Sequence, residues 1–548
     1  MTYLLLLLLP PLCLATTTTV TAVQLELGTQ PVDWAIQHRL RLVRSLDFLP
    51  NFYLFEGEPS RFRQQLPQVV WAEEQELRPK RFHRSIPDTL WALQWSLHDH
   101  PFSVDANRMG NLTGAGVTIA IVDDGLQWGH PEIRGNYDAQ HSWDFNDNDE
   151  DPSPVGAHSG HGTSAAGVAS AVADNGHCGR GVAPKAKLVG LRTIAEGVTD
   201  VVEADALTHN GIGIVDIYSN SWGPIDDSES MEGPGYVVQS ALAAFAGALR
   251  GRLGKGTIYL WASGNGAAKG DSCAFDGYAS SPHVFAIGAL NHQGRVADYS
   301  EGCAALFAVA PSSGAGRGIT TADLMGDDGY TDGECTIGFG GTSAATPLAA
   351  GLIALLLEVQ PELSWRDLQY VLARGALQVE PNDAGWSINA AGYHHHHHYG
   401  FGLLHGPSLL RALAAHKLLP NRTQAVWRSG FQALDDVWLK NSTKSFALNV
   451  TSDNNNISVI ERVSLAISLS TGYRGALSFN VTSPEGIISL MAPTRPRDGT
   501  PFWPNGWQFH SVRHFGERPA GVWHVSARDE ENQSHFIGYE LTLRGVSK

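Results

Sequence analysis

From about residue 114 to residue 290 the chain alternates short, near-continuous apolar runs with glycine-rich turns and longer segments of helical length. The runs at residues 117–122 (VTIAIV), 187–191 (KLVGL), 214–221 (IVDIYSNS), 257–262 (TIYLWA) and 283–290 (HVFAIGAL) lack the polar alternation of a strand with one wet face. Strands apolar on both faces and separated by helical segments, notably residues 162–173 and 235–249, predict a parallel sheet covered by helices. A further apolar stretch, residues 346–357 (TPLAAGLIALLL), contains Pro347 and is too short to span a bilayer, so it predicts a buried helix. Beyond residue 417 the pattern changes. Residues 459–469, 476–482 and 537–543 are strand-like among Asn, Ser, Gly and Pro, which predicts an all-β sandwich of roughly 130 residues.

The chain has 548 residues, 43% hydrophobic and 17% charged, a globular balance with room for several folding units. Residues 3–14 (YLLLLLLPPLCL) form an apolar run of leader length, followed by small and hydroxyl residues suited to cleavage near Ala15 or Ala22. No transmembrane anchor is predicted after it, so the expected location is the secretory-pathway lumen or the extracellular space. Sequons at Asn111, Asn421, Asn441, Asn449, Asn456, Asn480 and Asn532 agree with that route. Outside the leader remain Cys178, Cys273, Cys303 and Cys335, enough for two disulfides in any of three pairings. The formal net charge is −17, and residues 23–81 carry eight basic and eight acidic residues, so the deficit lies after Arg81. An acidic body argues against nucleic acid and favours cationic partners.

Three segments carry reactive groups. The run 117–122 leads into Asp123-Asp124-Gly125, a helix is predicted to begin at His161-Gly162-Thr163, and Gly341-Thr342-Ser343 opens the apolar helix. A serine hydroxyl becomes a nucleophile when an imidazole accepts its proton and a carboxylate fixes the tautomer of that imidazole. The order Asp, His, Ser is that of subtilisin, not of chymotrypsin or the α/β-hydrolases. Asn265, in Ala262-Ser263-Gly264-Asn265-Gly266, supplies a side-chain amide suited to an oxyanion.

The stretches IVDDGLQWGHPEIRGNYD (121–138), GHGTSAAGVASAVADNGHCGRGVAP (160–184), YSNSWGPIDD (218–227), DSCAFDGY (271–278) and GGTSAATPLAAG (340–351) resemble the kexin and furin family of proprotein convertases. The resemblance covers nearly the whole chain. It implies a leader (1–22), a small α+β prodomain acting as inhibitor and folding aid (23–81), a subtilisin-like α/β catalytic domain (82–417) and an all-β sandwich P domain (418–548). It further implies a monomeric, calcium-dependent serine endopeptidase whose partners are proproteins with basic cleavage sites. Asp123, His161, Ser343 and Asn265 match the catalytic positions, and the resemblance pairs Cys178 with Cys335 and Cys273 with Cys303. Arg78-Pro79-Lys80-Arg81 then reads as the site of autocleavage, after Arg81.

A pocket for arginine needs carboxylates, and acidic residues cluster in the loops around the predicted strands. By resemblance Asp226 and Asp276 belong to the P1 pocket, Glu203, Glu232 and Tyr278 to more distant basic-recognition pockets, and Asp124 to the P2 site. The chain departs from the family at His158-Ser159, where an acidic residue and an asparagine are usual, and at Ile225, which replaces an acidic residue. The expected P2 selectivity is therefore relaxed. The resemblance places calcium on Asp226, Asp271 and Glu301, and on Asp88 and Glu132 with backbone oxygens near Asn175. The acidic run from Asp144 through Asp149 to Asp151 suggests a further site from its density alone. His394 to His398 have no counterpart in the family and predict an exposed loop insertion. A broad degradative subtilisin and a catalytically silent binding protein are the competing readings.

Overall fold

The computed structural model describes residues 19–46, 49–57, 66–75, 87–157, 159–247, 250–326, 328–420, 424–439, 442–453, 455–504 and 506–548. It divides into two compact units, residues 1–84 and 85–548. The first is an α+β body. Its antiparallel sheet has the order β2-β3-β1-β4, built from β1 (Thr19–Leu25), β2 (Arg41–Ser45), β3 (Phe52–Gly57) and β4 (Val69–Glu74). The helix Pro31–Gln37 starts on a proline whose missing N–H is no loss at that position. Val23, Leu25, Trp34, Leu40 and Phe55 give this body a core of its own.

The second unit is built on β5 (Thr118–Asp123), β6 (Trp143–Asp144), β7 (Lys187–Arg192), β8 (Ile217–Asn220), β9 (Ile258–Ala262), β10 (Val284–Leu290) and β11 (Leu306–Pro311). They form one sheet in the order β11-β10-β9-β8-β5-β7-β6, with every pairing parallel. Every residue of β8 to β11 is buried, which explains apolar sequences without alternation. The helix Thr342–Val359 packs on these strands; although apolar enough to cross a membrane, 89% of its window is buried, and it is a core helix. The helix expected at 162–173 is His161–Ser170, and that expected at 235–249 is Tyr236–Leu242, followed by a π turn to Gly247. Two short pairs follow, β12 (Ile319–Ala322) with β13 (Cys335–Phe339), and β14 (Ser387–Ile388) with β15 (His394–His395).

The C-terminal region is an antiparallel sandwich. One sheet holds β16 (Ala425–Arg428), β17 (Gln432–Trp438), β19 (Ile457–Ser470), β22 (Gln508–Ser511) and β24 (His535–Ser547), and the other β18 (Lys444–Val450), β20 (Leu477–Thr482), β21 (Ile488–Ala492) and β23 (Gly521–Asp529). It is fused to the parallel-sheet region by shared packing. Phe275 belongs to the same apolar cluster as Phe479, Phe509 and Trp523, and the buried Arg366 pairs with the buried Glu461, Nη2 to Oε1 at 2.5 Å. Cys178 is bonded to Cys335 and Cys273 to Cys303, the pairing the resemblance implied.

The histidine run is not an exposed loop. His395 and His396 are buried, His395 Nε2 lies 3.2 Å from Leu306 O, and His396 Nε2 lies 3.2 Å from Asp383 Oδ1. Neutral imidazoles pack as small aromatic rings, here beside Trp386, Tyr399 and Phe401. Burial pushes both imidazoles below their ordinary pKa and so keeps them neutral.

Candidate active site

Strand β5 delivers Asp123 to the C-terminal edge of the sheet, where its carboxylate is 1% exposed. The helix His161–Ser170 begins opposite, and His161 Nδ1 meets Asp123 Oδ1 at 2.8 Å. Gly162 is required there, because a Cβ would lie 2.2 Å from Gly125 O and 2.8 Å from Asp123 Cβ. Burial alone would disfavour the imidazolium, but the charge of Asp123 and its hydrogen bond outweigh burial and raise the His161 pKa. With its Nδ1 proton on Asp123, His161 presents Nε2 as the base.

Ser343 opens the buried helix Thr342–Val359, which packs against the helix of His161. Pro347 has no N–H to give the Ser343 carbonyl, and that carbonyl instead accepts from Ser221 Oγ at 3.1 Å. Ser343 Oγ donates to Ser221 O at 3.3 Å. Asn265 is fixed by the same helix start: its Oδ1 accepts from Thr342 N at 2.8 Å and Thr342 Oγ1 at 3.1 Å, which leaves Nδ2 as the free donor. Thr342 and Ser221 were not singled out from sequence, and no signal in isolated residues would have done so, since both act through contacts distant in the chain.

Beneath Asn265 lies a layer of carboxylates. Glu301 Oε1 accepts from Gly266 N at 2.8 Å, and Cβ atoms at Gly264 or Gly266 would sit 2.5 and 2.8 Å from that oxygen, so the two glycines make its room. Burial, then the charge of Asp271, pushes the pKa values of both Asp226 and Glu301 up. Asp276 Oδ1 accepts from Tyr278 N at 2.7 Å and Ala279 N at 3.1 Å, while burial, then Asp226 and Asp271, raise it to about 7. Asp271 accepts from Ser228 N at 2.7 Å and from Arg495 Nη1 of the sandwich at 3.2 Å. Sequence reasoning missed Arg495, which reads as an ordinary surface charge.

The more distant positions also come together. Tyr278 Oη donates to Glu203 Oε2 at 3.0 Å, and Glu203 is held near a pKa of about 7, chiefly by burial. Glu232 is exposed and joins Asp276 through the bond Gly277 N to Glu232 O, 2.8 Å. Asp124 caps the helix of His161, its Oδ1 accepting from Gly162 N at 2.8 Å and its Oδ2 from His161 N at 3.2 Å. Burial, then Asp123, raises Asp124 to about 7. His158 and Arg81 lie outside the described residues.

Of the expected cation ligands, Asp88 and Glu132 flank Asn175. Asp88 accepts from Asp174 N and Asn175 N, and Glu132 Oε1 from Asn175 Nδ2 at 3.0 Å. Glu132 Oε2 is buried with no partner, and burial is the main cause that pushes this carboxyl up to about 8. The run from Asp144 to Asp151 corrects the expectation drawn from its density. Asp144 is bound to Arg192 at 2.6 Å, Asp149 accepts from Asp151 N, and Asp151 accepts from Trp128 Nε1 at 2.9 Å; these carboxylates diverge onto their own partners. Among the described residues no three His, Cys, Asp or Glu side chains close into a metal cage.

The profile described as the subtilase family matches residues 114–402, and that described as the proprotein convertase P-domain matches residues 460–543. Kexin of Saccharomyces cerevisiae is 38% identical over 471 residues, 83% of this chain and 56% of that protein. Proprotein convertase subtilisin/kexin type 4 of Mus musculus is 38% identical over 94% of this chain and 79% of its own length. Thus the chain spans little more than half of the yeast relative but most of the mouse one. A serine protease of Aeromonas sobria shares the fold at a TM-score of 0.72 and 22% identity, over 85% of this chain and 97% of its own.

Proposed function

The chain belongs to the subtilase family and, within it, to the proprotein convertases, and on that premise we propose that it is a secretory-pathway serine endopeptidase cleaving proproteins after basic residues. The observation that carries this reading is the Asp123–His161 pair, Ser343 and Asn265 close to the half-buried Asp226 and the buried Asp276 and Glu301. A P1 arginine entering that pocket meets carboxylates already desolvated, where charge-assisted hydrogen bonds are strongest. Ser343 Oγ attacks the scissile carbonyl as His161 Nε2 takes its proton, and Asp123 stabilises the imidazolium. Asn265 Nδ2 donates to the oxyanion. His161 then gives the proton to the leaving amine, and water repeats the sequence on the acyl-enzyme.

Two incomplete sets of oxygen donors support calcium binding. Glu132 Oε2 is a buried oxygen with no partner beside Asp88 and Asn175, and Asp226, Asp271 and Glu301 are crowded carboxylates whose repulsion a divalent cation relieves. The ion supplies charge and rigidity there, away from the reacting atoms. Residues 23–81 act as an inhibitory prodomain released after Arg81, and the mature enzyme is a monomer. Strand β1 includes Thr19 to Ala22, so leader cleavage near Ala15 leaves the strand whole where cleavage at Ala22 would halve it.

The test is a peptide series varied at P1. Arginine should exceed leucine in kcat/KM by at least about 100-fold, as two charge-assisted hydrogen bonds allow. Equal cleavage after leucine would make it a broad degradative protease, and no labelling by a fluorophosphonate would make it a silent binding protein.

A further inference from the structure

Between the parallel-sheet region and the sandwich lies a cavity of about 550 Å³, lined by Arg428, Arg544, His283 and His510, with Trp507 and Tyr236 also on its walls. A third arginine stands behind it. Arg462 on β19 is the register partner of Arg544 on β24 and is 1% exposed. Its Nη2 donates to Val284 O at 2.7 Å, while Nε and Nη1 are buried without a partner. Arg544 Nη1 donates to Ser464 Oγ at 2.7 Å, and that hydroxyl lies 2.8 Å from His510 Nδ1. His283 Nδ1 is likewise buried and unpartnered.

Among the described residues no carboxylate pairs with this cluster. Among the described residues Arg428, Arg462 and Arg544 form no ion pair, and Glu461, next to Arg462, is already bound to Arg366. The one acidic residue lining the cavity is Glu232, which is exposed to water. Burial, then the mutual repulsion of these cations, lowers Arg462 to about 9 and His283 to about 3. A buried guanidinium such as Arg462 without a counter-charge is costly, and the convergence of three arginines on one place is anomalous in a chain of net charge −17. The cavity is also larger than a bare ion requires, and its aromatic walls suit a ring that carries the charge.

We propose that this cavity binds an oxyanion, a sulfate or phosphate group, between Arg428, Arg544, His283 and His510. Guanidinium groups match the geometry of such oxygens, and the imidazoles complete the donor set. The cavity shares Met231, Glu232 and Gly277 with the loops that frame Asp276, so its occupant would lie behind the basic-recognition side of the cleft. The proposal itself does not depend on proteolysis.

The experiment uses full-length protein carrying Ser343→Ala, titrated calorimetrically with sodium sulfate, sodium phosphate and a sulfated disaccharide at constant ionic strength set by chloride, with thermal unfolding in parallel. Saturable binding that raises the Tm is expected. Arg544→Gln and the exposed Arg428→Gln should each weaken it about 10- to 100-fold, the loss of one charge-assisted hydrogen bond. Arg462→Met should leave the anion-free Tm unchanged or higher, because it removes an uncompensated buried charge. Tighter binding of the disaccharide would identify a carried sulfate, and equal binding the free ion. The proposal is overturned if none of the three binds saturably, or if binding survives both glutamine variants unchanged.

Discussion

Glu132→Gln tests how burial and a cation are coupled. In the calcium-free protein the Glu132 carboxyl is pushed from 4.5 to about 8 by burial, which outweighs the opposing hydrogen bond from Asn175, with a lesser push from Asp88. The folded state therefore keeps a proton that the unfolded state loses near pH 4.5. The native state binds more protons, so its stability falls as pH rises between those two values, by about 1.4 kcal/mol per pH unit. Glutamine does not titrate, and comparing it with the parent cancels every other group, including the buried histidines whose effect has the opposite sign. Urea unfolding of both proteins in the Ser343→Ala background, with EDTA, should show the variant gaining about 3 kcal/mol on the parent between pH 5.5 and pH 7.5. With calcium present the order should reverse, because the parent carboxylate then has a partner and the amide binds the ion more weakly. A difference independent of pH in EDTA would refute the reasoning, as would a calcium effect of equal size in both proteins.

Asn265→Ala should lower kcat by about 10²- to 10³-fold, the range set by the oxyanion donor of subtilisin, with expression unchanged; a loss in kcat/KM below about threefold would remove Asn265 from the oxyanion site. N-terminal sequencing of the secreted enzyme should begin at Phe82, and Ser343→Ala should retain residues 23–81; maturation of that variant without another protease would rule out self-cleavage. Because Asp124 already caps the helix of His161, a P2 lysine should gain little over alanine, and His158→Asp should raise that preference about 10- to 100-fold, measured as kcat/KM for Arg-X-Lys-Arg against Arg-X-Ala-Arg. A parent enzyme as selective as His158→Asp would contradict the relaxed P2 site.

Legibility from sequence followed the range of the interactions involved. Runs such as 258–262 and 284–290 are buried on both faces, so the apolar pattern alone carried the parallel sheet. Asp123, His161, Ser343 and Asn265 stood out in the sequence because each sits in a short motif at an element end. The acidic run misled because density says nothing of direction: Asp144 turns inward to Arg192, a partner 48 positions away. Five consecutive histidines read as solvent-loving, yet a neutral imidazole is a small aromatic ring, and Trp386 and Tyr399 supply the apolar surroundings. Arg462 and Arg544 stand in alternating strand sequence as though facing water, and only the packing of the sandwich against His283 and Val284 encloses them.

The same blindness hid the role of Arg495, and with it the reason the two regions of the larger unit fold together. Asp226, Asp271, Asp276 and Glu301 crowd the floor of the pocket from loops of the parallel-sheet region, which by itself supplies them with backbone donors and the nearby Lys269, whose Nζ reaches Asp226 O at 2.6 Å. Among the described residues the one ion pair to this group comes from the sandwich. Arg495 is fully buried, donates to Asp271 Oδ1 at 3.2 Å and Ser230 O at 2.7 Å, and lies 3.7 Å over the ring of Phe275. Asp498 holds its other nitrogen at 2.5 Å and also binds Arg474, whose second nitrogen reaches Glu229 O. The loop 229–230 and Asp271 are thus fixed by a guanidinium that is itself fixed. Carboxylates crowded this closely repel one another. A permanent arginine at their back, delivered by the sandwich, offsets part of that repulsion, so the sandwich contributes charge as well as cover to the proposed P1 pocket.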